Sequence, residues 1–396
     1  MALALLRALL AKGQHARLFC LDAKRSMAIP GDPDEQVAIN NAIITLSKGS
    51  PKDSTLKKAF SFPKLLYRLE RQIRRNKLDI VISFMERANL LNLMGSSAIP
   101  RIISVRKHLS MGLKDKSPLK RLLVRVGYSA LLKRASNINF NSQEAASDFQ
   151  NLFPQQKKPL SVIYNFVDED MAENGELSPG KEAEGLLNET SIVTCGRLMP
   201  VKGQLALMRA FTEVSARSTN ARLIILGDGP LRNQLHEYRR LLKLENQVIL
   251  AGFQCNPFAW VKRSALFVLS SRAEGFPNAL LEAMALGKAV ISTDCHSGPR
   301  ELLAPGSDSA QKTLQMELAP FGILTPPLQR QDLPATSPLS QAESALAEAM
   351  NLLLNDSHLR QKYANKARER ASAFERDPII TQWYELLTEQ LKEKES

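Results

Sequence analysis

The sequence has no run of about 18 uncharged apolar residues, the length a helix needs to cross a bilayer, so no spanning helix is expected. Its opening, MALALLRALL, resembles the apolar core of a signal peptide. However, Arg7 interrupts it, no basic segment precedes it, and AKGQHARLFC offers no small-residue cleavage site. Nor does it have the serine-rich character of a transit peptide. Aromatic residues are only 6% of the chain, too few for a module that stacks sugars on many rings. The four cysteines, Cys20, Cys195, Cys255 and Cys295, are far apart, with no C-x-x-C pair and no histidines spaced for zinc. Reduced thiols in a cytosolic protein are expected. Two D-x-D strings, Asp32-Pro33-Asp34 and Asp168-Glu169-Asp170, follow no clear strand. Both read as solvated acidic turns, so no metal is expected.

What is present is length and an uneven charge. The 396 residues exceed one ordinary core, and at roughly 100–200 residues per domain they suggest two. Residues 1–170 hold 28 Lys and Arg against 14 Asp and Glu, whereas residues 171–396 hold 25 against 26. The whole net charge of +13 therefore comes from the first half. Such a surface attracts an anionic partner. No nucleic-acid motif accompanies it, nor the aromatic interleaving that single-strand binders use. An anionic membrane surface is the expected partner; nucleic acid is not.

The second half alternates strand-like and helix-like segments. Short apolar runs at 192–195, 222–226, 247–251, 265–270, 288–293 and 321–325 read as strands. Helical spacing over 204–214, 231–244 and 279–286 lies between them. This β-α-β-α pattern predicts an α/β fold with a parallel sheet covered by helices. The first half repeats it less cleanly, with strands at 16–20, 79–83, 101–105 and 137–140 and basic helices at 64–76 and 119–134. The Glu-, Gly- and Pro-rich segment 168–188 is the linker candidate, and long helices close the chain over 342–355, 358–374 and 379–394. Two doubly wound domains joined by a linker create a cleft, with ligands beyond the carboxyl ends of the strands.

The loop after 265–270 reads Ser271-Arg272-Ala273-Glu274-Gly275-Phe276-Pro277-Asn278, and a helix ending before Gly287 follows it. Asn278 is the expected N-cap and Gly287 the expected C′ residue. The helix N-terminus offers amide N–H groups and a positive dipole end to phosphate or sugar oxygens. Gly275 permits close backbone approach. Glu274 in the loop and Glu282 a turn into the helix could grip separate sets of hydroxyls, or both be ordinary surface acids. At another strand end, Gly196-Arg197 precedes Lys202-Gly203. Two cations there suit a diphosphate and would stabilise charge developing on a leaving group. The loop Arg106-Lys107-His108 also follows a strand and could face the cleft, with His108 weighted toward an ordinary loop histidine.

Glu274-Gly275-Phe276-Pro277-Asn278-Ala279-Leu280-Leu281-Glu282 resembles the E-x7-E signature of the retaining GT-B glycosyltransferases of family 4. Gly196-Arg197-Leu198 with Lys202-Gly203-Gln204, Leu226-Gly227-Asp228-Gly229-Pro230, Ala251-Gly252-Phe253 and Val162-Ile163-Tyr164-Asn165 are similar to further elements of that family, in the same order. The resemblance implies two Rossmann-like domains facing a cleft: residues 1–167 on the acceptor side, 189–375 binding a nucleotide-sugar, and 376–396 a helix crossing back. It implies that Arg197 and Lys202 hold the donor diphosphate. Glu274 and the amides of Gly275 to Asn278 would hold the sugar, with Ala279 at the same helix start. Glu282 would take the ribose, and Gly196, Gly227, Gly252 and Phe253 would line the nucleotide. It further implies retention of configuration without a cofactor. The Ser297-Gly298-Pro299-Arg300-Glu301 continuation is similar to a bacterial subgroup that includes N-acetylgalactosaminyltransferases acting on polyprenyl-diphosphate-linked saccharides and enzymes of surface polysaccharide synthesis. A UDP-sugar donor, a lipid-linked or polysaccharide acceptor, and a place on the inner face of the cytoplasmic membrane follow as expectations.

The sequence departs from the family at its start, where a first strand and a Gly-rich loop are expected before the first helix. Met1 already stands at that helix, so the expectation is a chain that starts late. Two other readings stand beside a transferase: a degenerate, non-catalytic scaffold, and a GT-B-type nucleotide-sugar epimerase.

Overall fold

The computed structural model describes the chain except residues 22–32, 48–60, 97, 114–116, 168–170, 181–182, 184 and 396. The D-x-D string at 168–170 and Asp32 of the other therefore lie outside the described residues.

Three sheets organise the described chain. In the C-terminal half, β7 (Ser191–Cys195), β8 (Arg222–Leu226), β9 (Val248–Gly252), β10 (Leu266–Leu269), β11 (Ala289–Thr293), β12 (Glu317–Ala319) and β13 (Gly322–Thr325) form one sheet, in the order β12-β13-β11-β10-β7-β8-β9. Only β12 runs antiparallel within it. Runs such as Leu266-Phe267-Val268-Leu269 are apolar at every position because both faces are covered. One face packs against the helices Gln204–Arg217 and Gln341–Asn355 through Leu205, Met208, Phe211, Leu346 and Met350. The other packs against Asn278–Ala285 and Ser357–Ser372 through Leu280, Met284, Ala367 and Ala371.

In the N-terminal half, β3 (Val81–Phe84), β4 (Arg101–Val105), β5 (Asn137–Phe140) and β6 (Leu160–Val162) pair in chain order. The strands β1 (Leu18–Cys20) and β2 (Ile43–Thr45) form a separate two-stranded parallel sheet. The segment read as a linker carries a short helix, Met171–Glu176, whose Met171 is buried in the C-terminal core. The last helix, Arg376–Glu395, packs on the N-terminal half: Ile379, Trp383 and Leu387 share a cluster with Leu5, Ile102 and Ile163.

The strand order fixes where a site can form. From β7 the chain winds outward through β8 and β9, then returns to place β10 on the other side of β7. That reversal is a topological switch point, and the loops after the two adjacent strands diverge there to leave a crevice. These are the loops that carry Gly196–Gly203 and Ser271–Asn278.

Candidate active site

At the switch point, Lys202 Nζ donates to Glu274 Oε1 at 2.6 Å, and Ser271 Oγ donates to the same oxygen at 2.6 Å. The Glu274 side chain is 10% exposed and that of Lys202 28%, so the pair is partly shielded from water. Lys202 ends a 3-10 turn, Pro200–Lys202, and Gly203 reverses the chain at φ 65°. A Cβ at Gly203 would fall 2.0 Å from the Ser270 carbonyl oxygen, so only glycine lets the two loops lie this close. The backbone N–H of Glu274 donates to the carbonyl of His296, tying the 271–278 loop to the loop after β11.

The glycine turns are laced together. Gly196 N–H donates to the Leu226 carbonyl, Gly227 N–H to that of Gly252, and Leu198 N–H to that of Asp228. Three strand ends thus form one rim. Arg197 is exposed on it, and the Phe253 ring is 74% exposed at its far end. Cys195, at the end of β7, has its thiol pushed up to about 12, first by burial and then by the nearby Glu282 carboxylate, with Lys202 opposing. Glu282 therefore sits close to the same rim.

The helix after the loop spans Asn278–Ala285, and one expectation is corrected here. Pro277, not Asn278, is the N-cap; no side chain caps the helix, and Asn278 is its first helical residue. Pro277 fixes its own φ and lacks an N–H, which suits the entry to a helix. The Asn278 side chain instead accepts from Asn165 Nδ2 of the N-terminal half at 2.5 Å. Ala279 is half-buried in the first turn. Phe276 turns its ring into the core against Tyr164 and Phe374, so only its backbone faces the loop. Gly287 follows the helix at φ 68° as a C′ residue should.

The N-terminal half meets this loop directly. A Cβ at Gly275 would fall 1.8 Å from the Arg106 carbonyl oxygen. Arg106 itself is bonded to Asn165, lies over the Phe84 ring, and is lowered to about 10 by burial. His108 stacks against His296 with ring centroids 4.6 Å apart.

Around that stack lies a contact that nothing in the motifs signalled. Glu144, from the N-terminal half, has Oε1 2.6 Å from His296 Nδ1, and its Oε2 accepts from Lys312 Nζ at 2.9 Å and Ser297 N–H at 3.0 Å. Burial would raise this carboxyl, but the bonds from His296, Lys312 and Ser297 together hold it below the usual range. In return, Glu301 of the C-terminal half accepts the free N–H groups of Gln143 and Glu144 at the start of the helix Gln143–Leu152, and the Tyr164 hydroxyl. Each half thus supplies a carboxylate to the other. One ligand atom each of His108, Glu144 and His296 lies within 4.8 Å of the others. With Lys312 and Ser297 already on the carboxylate, the cluster is a charge network joining the two halves. The buried pair Arg300–Asp294, 2.5 Å, ties the short helix Pro299–Leu303, which bears Glu301, to the end of β11 just before His296. In sequence, Glu144 looks like any acid in a first helical turn, and Glu301, though it ends the Ser297–Glu301 segment, carries no sign of its partner.

Comparison with known proteins shows the family and the fold. Residues 1–171 match the family model described as Glycosyltransferase Family 4, and residues 189–322 match that of Glycosyl transferases group 1. An uncharacterized glycosyltransferase of Methanocaldococcus jannaschii is 33% identical over 338 residues, 82% of each chain. The N-acetylgalactosamine-N,N'-diacetylbacillosaminyl-diphospho-undecaprenol 4-alpha-N-acetylgalactosaminyltransferase of Campylobacter jejuni is 28% identical over 84% of this chain and 83% of its own. Anabaena HepE, crystallised with UDP and glucose, superposes with a TM-score of 0.69 at 21% identity, covering 98% and 95% of the two chains.

Proposed function

The chain belongs to glycosyltransferase family 4 and has the two-domain GT-B fold; on that premise we propose that it transfers a hexose or N-acetylhexosamine from a UDP-sugar, with retention of configuration, to a lipid-linked or polysaccharide acceptor. The observation that carries this reading is the Lys202–Glu274 pair at the β7/β10 switch point. A nucleotide-sugar presents a diphosphate directly beside sugar hydroxyls, and a cation and a carboxylate side by side suit the two groups.

Arg197 and Lys202 take the diphosphate, while Glu274 and the amides of Gly275 to Asn278 take the sugar. Glu282 takes the ribose, and Gly252 and Phe253 lie along the base. As the bond from the anomeric carbon to the phosphate oxygen breaks, Lys202 and Arg197 stabilise the charge left on the phosphate. The acceptor oxygen bonds to the same face of the anomeric carbon, and its proton passes to the departing phosphate. Neither a metal nor a flanking carboxylate pair of the hydrolase kind is used. The C. jejuni relative, named for a diphospho-undecaprenol saccharide, supports a lipid-linked acceptor in surface-glycan synthesis. The basic first half supports a peripheral position on the inner membrane face.

The test is incubation with a panel of UDP-sugars and membrane lipid extract, with NMR of the product. The reading expects a glycolipid whose anomeric configuration matches the donor's. An inverted product overturns retention, and tight UDP binding with no transfer to any acceptor overturns the transferase in favour of a scaffold.

A further inference from the structure

The charge network that joins the two halves is also a set of metal ligands. Glu144 Oε1 lies 2.6 Å from His296 Nδ1 and 3.8 Å from His108 Nε2, and one ligand atom of each residue lies within 4.8 Å of the others. The set draws on both halves. His108 comes from the loop after β4 and Glu144 from the helix Gln143–Leu152, while His296 comes from the loop after β11. Two of the three are also held from behind. His108 has its other ring nitrogen, Nδ1, 3.2 Å from Asp148 Oδ2 and 3.0 Å from Ser110 Oγ. Glu144 has its other oxygen, Oε2, occupied by Lys312 Nζ and the Ser297 N–H. Outer partners of this kind orient metal ligands, and a carboxylate on the far nitrogen of a histidine is a common one. They leave Oε1 of Glu144 and Nε2 of His108 turned toward His296.

We propose that a zinc ion binds His108, Glu144 and His296 and clamps the two halves together, a regulatory site separate from the transfer chemistry. Two imidazoles and one carboxylate are a zinc donor set, whereas magnesium and calcium take oxygen ligands. Zinc bonds such donors at about 2.0–2.2 Å, so in a tetrahedral site they stand roughly 3.4 Å apart. The separations of 2.6 Å and 3.8 Å bracket that value. Charge agrees, since the carboxylates of Glu144 and Asp148 face one ammonium, that of Lys312. So does access. The His296 side chain is 36% exposed against 10% for His108 and 8% for Glu144, so the ion enters from the His296 side, where water completes its coordination. Ligands from both halves meet only when the halves are together, so binding favours that arrangement. Gly275 of the 271–278 loop lies against the Arg106 carbonyl across the cleft, and an ion that resists separation keeps this loop covered. Zinc thereby slows exchange at the cleft without touching Lys202 or Glu274. The site goes beyond the transferase reading and needs no substrate.

The test is calorimetric titration of zinc into the full chain, with magnesium as the control, for the wild type, His108→Ala, His296→Ala and Asp148→Asn. Circular dichroism melts check the fold of each protein, and the two histidine variants, one in each half, give independent arms. The wild type should take up one zinc ion, and magnesium should give no heat. Each histidine variant should bind zinc at least about tenfold more weakly, and Asp148→Asn, which keeps all three ligands, about 10–100-fold more weakly. The clamp is read by hydrogen exchange at the amides of Gln143 and Glu144, which are bonded across the halves to Glu301. Saturating zinc should slow their exchange several-fold in the wild type and not in His296→Ala. A folded wild type that takes up no zinc overturns the inference, as does zinc bound equally well by both histidine variants. Zinc that binds through the histidines but leaves the exchange of those amides unchanged overturns the clamp. UDP binding is measured on the same proteins: its absence from all of them, with zinc bound as expected, sinks the functional reading and spares the site.

Discussion

At the scale of single residues, the proposed chemistry rests on Lys202 and Glu274, which are hydrogen-bonded to each other. Lys202→Ala removes a donor from the developing phosphate charge, and loss of one such donor costs about 10²–10³ in turnover. Glu274→Ala should reduce transfer by a similar factor, through the sugar and not the nucleotide. Calorimetry with UDP separates them: Lys202→Ala should weaken UDP binding, and Glu274→Ala should leave it nearly intact. Weakened UDP binding in both variants to the same degree would contradict these separate roles. The glycines make a second prediction. Gly275→Ala places a methyl group against the Arg106 carbonyl across the cleft. The C-terminal half should still fold and bind UDP, but transfer should fall by about 10², the cost of a misplacement on the order of 1 Å. Unchanged transfer would show that the halves need not meet at Gly275.

Elements and their loops are what the sequence made legible. β4, β5 and β8 fall on the predicted residues; β8 is an apolar run after Arg222, whereas β5 alternates asparagine with Ile138 and Phe140. The loop at 271–277 leading into a helix was legible because glycine and proline have few local alternatives there. The N-cap was misread: Pro277 pre-sets the helix entry, leaving Asn278 free to bond Asn165 across the cleft. The exchange of Glu144 and Glu301 was not legible, since contacts 157 residues apart leave no local periodicity. Arg300 supplies the test at this scale. It holds Asp294, which is fully buried, and so fixes the helix Pro299–Leu303 that bears Glu301, beside the loop bearing His296. Arg300→Ala leaves that carboxylate without its main counter-ion, at about 3–5 kcal/mol, or on the order of 10 °C in Tm for a domain of this size. A loss below about 2 °C by calorimetry would show the pair to be dispensable.

At the scale of the whole molecule, the two halves are joined by charge, and pH should act on the joint. Burial pushes His108 below its ordinary value of 6.5; Asp148 and Glu144 pull it up, while His296 and Lys312 push it down. The unfolded chain therefore takes a proton near pH 6.5 that the folded chain resists, so stability falls as pH drops below that value. Glu144 acts in the same direction at lower pH. Its carboxyl is held below 4.5, and its contribution is present above that value and lost as pH falls through its folded one. Tm should decline from pH 6.5 downward, and His108→Asn should remove the upper part of the slope. An unchanged slope in that variant would place the titration elsewhere. Glu301→Gln should loosen the joint without touching the donor loop, lowering transfer more than UDP affinity.

These scales meet in one claim, that the crevice between β7 and β10 binds a nucleotide-sugar and uses Lys202 and Glu274 to move its sugar. The direct measurement is transfer of radiolabel from UDP-sugars into membrane lipid extract, at saturating donor, by the wild type, Lys202→Ala and Glu274→Ala. The account predicts lipid-bound label with the wild type and a loss of at least about 10² in each variant. Label that enters lipid equally well with either variant would contradict it.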